Sequence, residues 1–310
     1  MIDVSYVILN WKTPDLTSQA IESIRKHEKT VPYEIIVVDN ASGDGSVETL
    51  ASRFPWARII ASPRNLGFAG GNNLGARHAR GEMVLLFNSD AYEIEETLPT
   101  LMRLLGRDRK GKIITCTLLN PDGSIQPGAF AFPTLWSMFL ESLSSRSRLE
   151  AERRAAQNGM QEDLHRVGWV SGALVFLARE DFERVGGMDE SIFMYAEDID
   201  FARRAESVGL LCYYTSLVRA VHIGGGSINA ASVRSLILTD NGRIGYWRKW
   251  HGQLSAAALR SIFAWRSFLR MAGFSILGLL PRRAAERRKA RMHATGLSIL
   301  LGVRDARDFA

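Results

Sequence analysis

The stretch LLFNSDAY, residues 85–92, decides how this chain is read. Its apolar run does not alternate with polar residues, the pattern of a strand covered on both faces. The run ends on Asn88, Ser89 and Asp90, where an ordinary solvated turn would more often show Gly, Pro or Lys. Similar runs lie at 4–9, 34–38, 57–60 and 113–117, separated by amphipathic stretches at 16–26, 46–53, 69–79 and 94–105. That alternation predicts an α/β fold with a mostly parallel sheet flanked by helices. In such sheets ligands gather beyond the carboxyl ends of the strands. Here those ends read Asn10-Trp11, Asp39-Asn40 and Asn88-Ser89-Asp90.

The 310 residues suffice for one large domain or two modest ones, and 46% hydrophobic with 23% charged is an ordinary globular balance. Cys116 and Cys212 sit in apolar surroundings without a metal-like spacing, so buried free thiols in a reducing compartment are expected. The first residues carry an acid, Asp3, and neither a basic leader nor a cleavage site, so no signal peptide is expected. No apolar run reaches the roughly 18 residues that a bilayer span needs. Charge is uneven. Residues 260–310 hold eleven Lys or Arg against three acids, a net of +8 in a chain of net +6. Those basic residues are interleaved at helical spacing with Ile262, Phe263, Trp265, Phe268, Leu269 and Phe274. An anionic membrane surface suits that pattern better than nucleic acid, which is not expected as a partner.

Beyond residue 118 the reading is coarser. NPDGSIQPG, 120–128, is a turn-rich loop, and 141–164 is polar and charged, helical or mobile. VGWVSGALVFL, 167–177, reads as one strand with close backbone contact at Gly172. A helix at 179–185, a second running to Ser207, a strand at 211–215 and a helix over 231–250 follow.

Several residues can carry chemistry. Asp39 could accept a hydrogen bond from a pyrimidine imide, or be a turn acid ahead of the helix at 46–53. Asn88 and Asp90, two apart, place oxygen-bearing groups on one side of an extended segment, suited to a hard divalent cation shared with phosphate. Asp90 could equally cap a helix after Ala91. Among Glu197, Asp198 and Asp200, Asp200 pairs with Arg204 at i, i+4 on a solvated face. Glu197 and Asp198 remain, behind aromatic FMY (193–195) that would dry the site and tune a carboxylate as a base. His222 could be a core histidine or could complete a metal site begun by Asp90. RNLGFAGGNNLGA, 64–76, carries Asn65, Gly67, Gly71 and Asn72 into a helix whose N–H groups suit an anion. It is not G-x-G-x-x-G, which counts against a dehydrogenase.

VILNWK, IIVVDNASGDGS, NLGFAGGNN, LLFNSDA, LLNPDGSIQP, WVSGALVFLARE, VGGMDESIFMYAEDIDFARRA and VHIGGGS, in that order over roughly 3–227, resemble the family 2 glycosyltransferases of the GT-A fold. The likeness is nearest to the bacterial rhamnosyltransferase-like branch that builds cell-surface polysaccharide. The resemblance implies a GT-A (Rossmann-like) domain over 1–230, its donor half about 1–118 and its acceptor half about 119–230. The basic helical region at 231–310 falls outside it. The resemblance also implies an inverting transfer from a nucleotide-diphosphate sugar, dTDP-rhamnose first and UDP-hexose or galactofuranose as alternatives, to a lipid-linked or cell-surface glycan. Asp39 would read the base, Asn88 would lie near ribose and diphosphate, and Asp90, with His222, would hold Mg²⁺ or Mn²⁺. Asn88 stands in the first position of the D-x-D-like motif, so metal binding rests more on Asp90. Asp198 would be the catalytic base beside Glu197, and Trp169, Ser171 and Gly172 would line the acceptor pocket. With the basic tail, this implies a cytoplasmic enzyme, peripheral on the cytoplasmic face of the membrane. A non-catalytic nucleotide-sugar or glycan-binding module of the same fold is the alternative.

Overall fold

The computed structural model describes residues 2–106, 110–143, 163–224, 232–280 and 283–303. Most of the polar 141–164 stretch, the last two glycines of the 224–226 run, and Arg282, Arg304 and Arg307 of the basic tail lie outside the described residues. Among the described residues, those up to 132 with 163–224 form one compact unit, and 133–143 with 232–280 and 283–303 form a second.

The first unit is built on β1 (Val4–Asn10), α1 (Pro14–His27), β2 (Tyr33–Asp39), α2 (Ser46–Arg53), β3 (Arg58–Ala61), α3 (Gly67–Arg77) and β4 (Met83–Asn88). β1 lies between β2 and β4, parallel to both. Val4, Tyr6, Val7 and Ile8 have no exposed surface, which is why the run is apolar without alternation. Register then decides the site. Asn10 stands opposite Asp39, and Leu9 opposite Asn88, so the polar ends of three adjacent strands lie side by side.

The chain continues with β5 (Ala91–Glu93), α4 (Leu98–Leu105), β6 (Lys112–Leu119), β7 (Ile125–Gln126), β8 (Ala129–Phe130) and, in the second unit, α5 (Leu135–Leu143). Back in the first unit come β9 (His165–Val167), β10 (Trp169–Val170), β11 (Leu174–Ala178), α6 (Arg179–Val185), α7 (Glu197–Ser207) and β12 (Leu211–His222). The main sheet runs β3-β2-β1-β4-β11-β6-β12-β5. β6 is parallel to β12, whereas β11 enters antiparallel between β4 and β6.

Two sequence expectations change here. The single strand over 167–177 is three short ones with different partners: β9 on β12, β10 on β8, and β11 on β4 and β6. Glycines divide them. A Cβ on Gly168 would come within 2.5 Å of Phe132 N, and one on Gly172 within 2.8 Å of the Phe68 ring. The helix expected from residue 94 starts at Leu98, because 91–93 pair with β12 instead. Asp90 therefore caps no helix. That end of α4 is capped from elsewhere in the chain, by Glu28 Oε1 accepting from the N–H groups of Thr97 (2.7 Å) and Leu98 (3.0 Å).

Glu93 lies beside this cap, its Oε1 accepting from Tyr6 Oη (2.7 Å) and Thr97 Oγ1 (2.9 Å). Burial, reinforced by the nearby Glu28 carboxyl, pushes its pKa up to about 8. Between the ordinary carboxylate range and that value the unfolded chain releases this proton while the folded chain keeps it. Stability at Glu93 is therefore highest below the unfolded pKa and falls as pH rises towards 8. Glu93→Gln keeps the accepting oxygen without an ionisable proton. Its melting temperature, relative to the native chain, should rise steadily across that interval in a pH series of thermal melts. A constant difference would remove Glu93 as the source.

The second unit joins α5 to α8 (Val233–Gly278) and α9 (Ala284–Leu300), α8 being interrupted at Gly252 with φ 79°. Ile237, Ile244, Trp247, Leu259 and Phe263 are buried. A buried Asp240–Arg266 pair, bonded at 2.6 and 2.8 Å, lies among these helices. Among the described residues no helix is long and apolar enough to cross a membrane.

Candidate active site

The strand ends are held by a dense polar network. Asn10 Nδ2 donates to Asp39 Oδ1 (2.7 Å) and Ser42 Oγ (3.2 Å), and its Oδ1 accepts from Thr17 Oγ1 (2.8 Å). Ser42 adds two bonds to the Asp39 carboxylate, from its Oγ to Oδ1 (2.5 Å) and from its N–H to Oδ2 (3.0 Å). Asp39 is thus buried and fixed in orientation, with lone-pair capacity left on Oδ2. Asn40 accepts from Leu66 N (2.8 Å) and donates to Asn65 Oδ1 (3.0 Å) and Gly67 O (3.1 Å), setting the turn into α3. Lys12 and Ala41 both have φ near +60° (57° and 58°), so each loop leaving these strand ends bends through a left-handed residue.

At the end of β4, Asn88 N–H donates to Ala173 O (3.0 Å) and Asn88 Nδ2 lies 3.3 Å from His222 Nε2. The same ring nitrogen is 3.2 Å from Asp90 Oδ1, and Ile223 N–H bonds Asp90 O at 2.9 Å. Residues 134 positions apart in the chain meet here because β12 pairs its last residue, His222, with Ala91. Among the described residues no three His, Cys, Asp or Glu side chains converge as a metal cage. Among the described residues, Asp90 and His222 are a pair that could hold a divalent ion. That number fits Mg²⁺ or Mn²⁺, which keep water and phosphate oxygens as their other ligands.

A second group of residues surrounds α3 and the acids at 197–198. Asn73 pins the preceding segment to α3: its Oδ1 accepts from Met188 N (2.8 Å) and its Nδ2 donates to Met188 O (2.8 Å) and Glu190 Oε1 (2.9 Å). Phe68 N–H donates to Phe193 O (2.9 Å). Gly67, at φ +70°, is required there, since a Cβ would stand 2.3 Å from that same carbonyl. The segment enters α7 through two strained residues, Tyr195 and Ala196, at φ 64° and 85°. Non-glycine residues held in that region cluster at functional sites.

Glu197 is buried, and burial, reinforced by the adjacent Asp198 carboxyl, raises its pKa well above the usual carboxylate range. Its Oε2 has no hydrogen-bond partner among the described residues. Asp198 is half-buried, with Oδ1 accepting from Ile199 N (2.9 Å). α7 packs on β10, and the next residues, 171–173, run from there to Asn88. The Asp200–Arg204 pair forms at 2.8 Å, but Asp200 is fully buried, not on a solvated face. Arg204 also donates to Val185 O and Gly187 O, so the pair ties α7 to the loop before it.

Asn10 meets Asp39 at one pair of strand ends, and Asn88, Asp90 and His222 meet at the end of the adjacent β4. Asn65 and Gly67 form the turn at the head of α3. Gly71 has a packing role, since a Cβ would meet the Leu9 side chain at 2.2 Å, and Asn72 donates to Phe68 O within the helix. Trp169 is buried, stacked on Phe130 at 4.2 Å between ring centres, with Nε1 bonded to Ala131 O. Ser171 donates its N–H to Gly128 O (2.8 Å), and Gly172 rests on Phe68. The sequence reading noted Asn40 only as a strand end, and missed Ser42, Asn73 and Gln126, whose Oε1 lies 2.6 Å from His222 Nδ1. Asn40 and Ser42 had a signal in the DNAS that ends the second strand. Gln126 had only its place in a quoted motif.

Residues 5–147 match the family model for Glycosyl transferase family 2. The chain is 28% identical over 269 residues to an N-acetylglucosaminyl-diphospho-decaprenol L-rhamnosyltransferase of Mycobacterium tuberculosis, covering 77% of this chain and 85% of that relative. It is 23% identical over 227 residues to rhamnosyltransferase WbbL of Escherichia coli, covering 71% and 83% respectively. In fold it is similar to the mannosyltransferase PcManGT from Pyrobaculum calidifontis, with a TM-score of 0.58 at 17% identity over 97% of this chain and 88% of that one. Residues 5–147 thus match a family 2 glycosyltransferase domain, in a chain whose fold is like that of GT-A glycosyltransferases and whose sequence is rhamnosyltransferase-like.

Proposed function

We propose that the chain moves a sugar, rhamnose from dTDP-rhamnose first among candidates, to a hydroxyl of a lipid-linked or cell-surface glycan with inversion at the anomeric carbon. The observation that carries this reading is the register of the sheet, which sets Asn10, Asp39 and Asn88 side by side with Asp90 and His222 next to them. The M. tuberculosis relative is named for rhamnosyl transfer to a diphospho-decaprenol-linked sugar, and the PcManGT structure was solved with GDP-Man and Mn²⁺. The first supports rhamnosyl transfer to a lipid-linked acceptor, the second a nucleotide-sugar donor and a divalent ion.

In this reading the remaining lone pair of Asp39 Oδ2 accepts the imide N–H of thymine or uracil. Asn10 and Ser42 hold the carboxylate for it, so little ordering remains to be done on binding. Asn88 and the turn at Asn65 and Gly67 border the ribose and diphosphate. A divalent cation held by Asp90 and His222 would offset the charge on the departing nucleoside diphosphate. Asp198 removes the proton from the acceptor hydroxyl as the glycosidic bond forms, because an alcohol is a poor nucleophile at neutral pH. Glu197 lies beside that base, where burial and the Asp198 carboxyl favour its neutral form. One protein carboxylate suffices for inversion, and Ser171 and Gly172 edge the acceptor side.

The deciding experiment is a thermal-shift panel of nucleotide sugars with Mn²⁺, since a ligand bound only by the folded chain raises its melting temperature. dTDP-rhamnose should give the largest rise, with turnover on a lipid-linked N-acetylglucosamine acceptor. A larger rise with a UDP-hexose would move the donor assignment, and none with any donor would sink the transferase reading.

The second unit supports docking on an anionic membrane surface from the cytoplasmic side, as a module of its own. Trp136, Leu140 and Leu143 are exposed on α5, as are Trp265, Phe268 and Ile276 on α8, and basic residues line α9. Co-sedimentation with anionic liposomes should fall in high salt and after removal of 254–310. Unchanged binding in both conditions would refute it.

A further inference from the structure

His222 closes β12 with its two ring nitrogens facing different neighbours. Nε2 lies 3.2 Å from Asp90 Oδ1 and 3.3 Å from Asn88 Nδ2, while Nδ1 lies 2.6 Å from Gln126 Oε1. Which nitrogen carries the proton decides whether the neutral ring presents a lone pair beside Asp90.

Gln126 answers that question. Its Nε2 is 3.3 Å from the His222 backbone carbonyl and 3.0 Å from Asn120 Oδ1. A backbone carbonyl only accepts, so the amide nitrogen must face it and Oε1 must face the ring. Oε1 also only accepts, so Nδ1 carries the proton. The series continues into the preceding turn. Asn120 Nδ2 donates to Ser124 Oγ (2.9 Å), and Ser124 Oγ donates to Asp122 Oδ1 (2.6 Å). Backbone bonds from Asn120 N to Ser124 O (2.8 Å) and from Gly123 N to Asn120 O (2.9 Å) close that turn. Every donor in the series points away from the imidazole, towards the Asp122 carboxylate.

With Nδ1 protonated, the neutral ring sets an Nε2 lone pair beside a carboxylate oxygen. Two acceptors at 3.2 Å repel unless a proton or a cation lies between them.

We propose that Gln126 is a positioning residue: through the Asn120–Ser124–Asp122 turn it fixes His222 as its Nδ1–H tautomer and aims Nε2 to ligate a divalent cation together with Asp90. The proposal rests on the metal reading made above. Outer partners that orient a ligating histidine typically change metal affinity by about 10- to 100-fold when lost.

The test uses Mn²⁺ alone on the full chain, without donor, followed by electron paramagnetic resonance. Gln126→Leu should bind Mn²⁺ about 10- to 100-fold more weakly than the native chain. Gln126→Glu, which keeps an oxygen for Nδ1–H, should recover most of that affinity. Independently of any variant's folding, nitrogen NMR of metal-free native protein, at a pH where the ring is neutral, should show His222 protonated at Nδ1. Equal Mn²⁺ affinity in Gln126→Leu, or an Nε2–H ring in the native chain, would overturn the role of Gln126 and leave the metal site standing. A native chain that binds no Mn²⁺ would instead remove the metal reading, and this proposal with it.

Discussion

Asp198→Asn should lower transfer by about 10²- to 10⁴-fold, the range that a positioned general base contributes, while the donor-induced thermal shift stays as in the native chain. The substitution is mild for the fold. Asp198 uses Oδ1 to accept from Ile199 N, and an asparagine oxygen can accept the same bond. What it cannot do is take the proton of an alcohol. Glu197 provides the internal comparison. Burial and the neighbouring Asp198 raise its pKa well above the ordinary range, which favours its neutral form over the carboxylate that a base needs. Glu197→Gln imitates that neutral form and should retain most of the rate. If Glu197→Gln is the inactive variant and Asp198→Asn turns over within a few-fold of the native chain, the base has been assigned to the wrong carboxylate.

Asp90→Ala should abolish the extra thermal stabilisation that Mn²⁺ gives to donor binding and reduce kcat/KM by roughly 100-fold or more, since it removes one of the two proposed protein ligands. The backbone at this position is secured separately, by Ile223 N–H on Asp90 O and by the pairing of β5 with β12. The loss should therefore appear in metal dependence, not in folding. Chelation of the native chain should bring its activity down to the level of the variant. A variant whose rate still rises on adding Mn²⁺ would take Asp90 out of the site.

The strands that carry the donor side were legible because their cause is local. A strand buried on both faces must be largely apolar, as β4 and, apart from Ser5, β1 are, and a polar residue ending such a run stands out. Asn10, Asp39, Asn88 and Asp90 were visible for that reason. The E-D pair was visible as more carboxylates than a helix start requires. Other residues carried no local mark. Glu28 and Glu93 look like surface acids in the sequence, yet Glu28 caps α4 from about 70 residues away and Glu93 is buried beside that cap. Gln126 is one polar residue in a turn-rich loop, and its importance comes from His222, which lies 96 positions away.

From the residues alone came the α/β class, the order of the first strands, the polar strand ends, the acids at 197–198 and the basic, aromatic tail, all of them consequences of spacing and burial preference within short windows. The tertiary structure decided the entry of β11 between β4 and β6, the division of 167–177 into three strands, the pairing of β5 with β12, and thereby the meeting of Asp90, His222 and Gln126. The reason is physical: strand pairing is set by hydrogen bonds and packing between segments distant in the chain. A local apolar pattern is equally compatible with several neighbours, and only the closed sheet selects one.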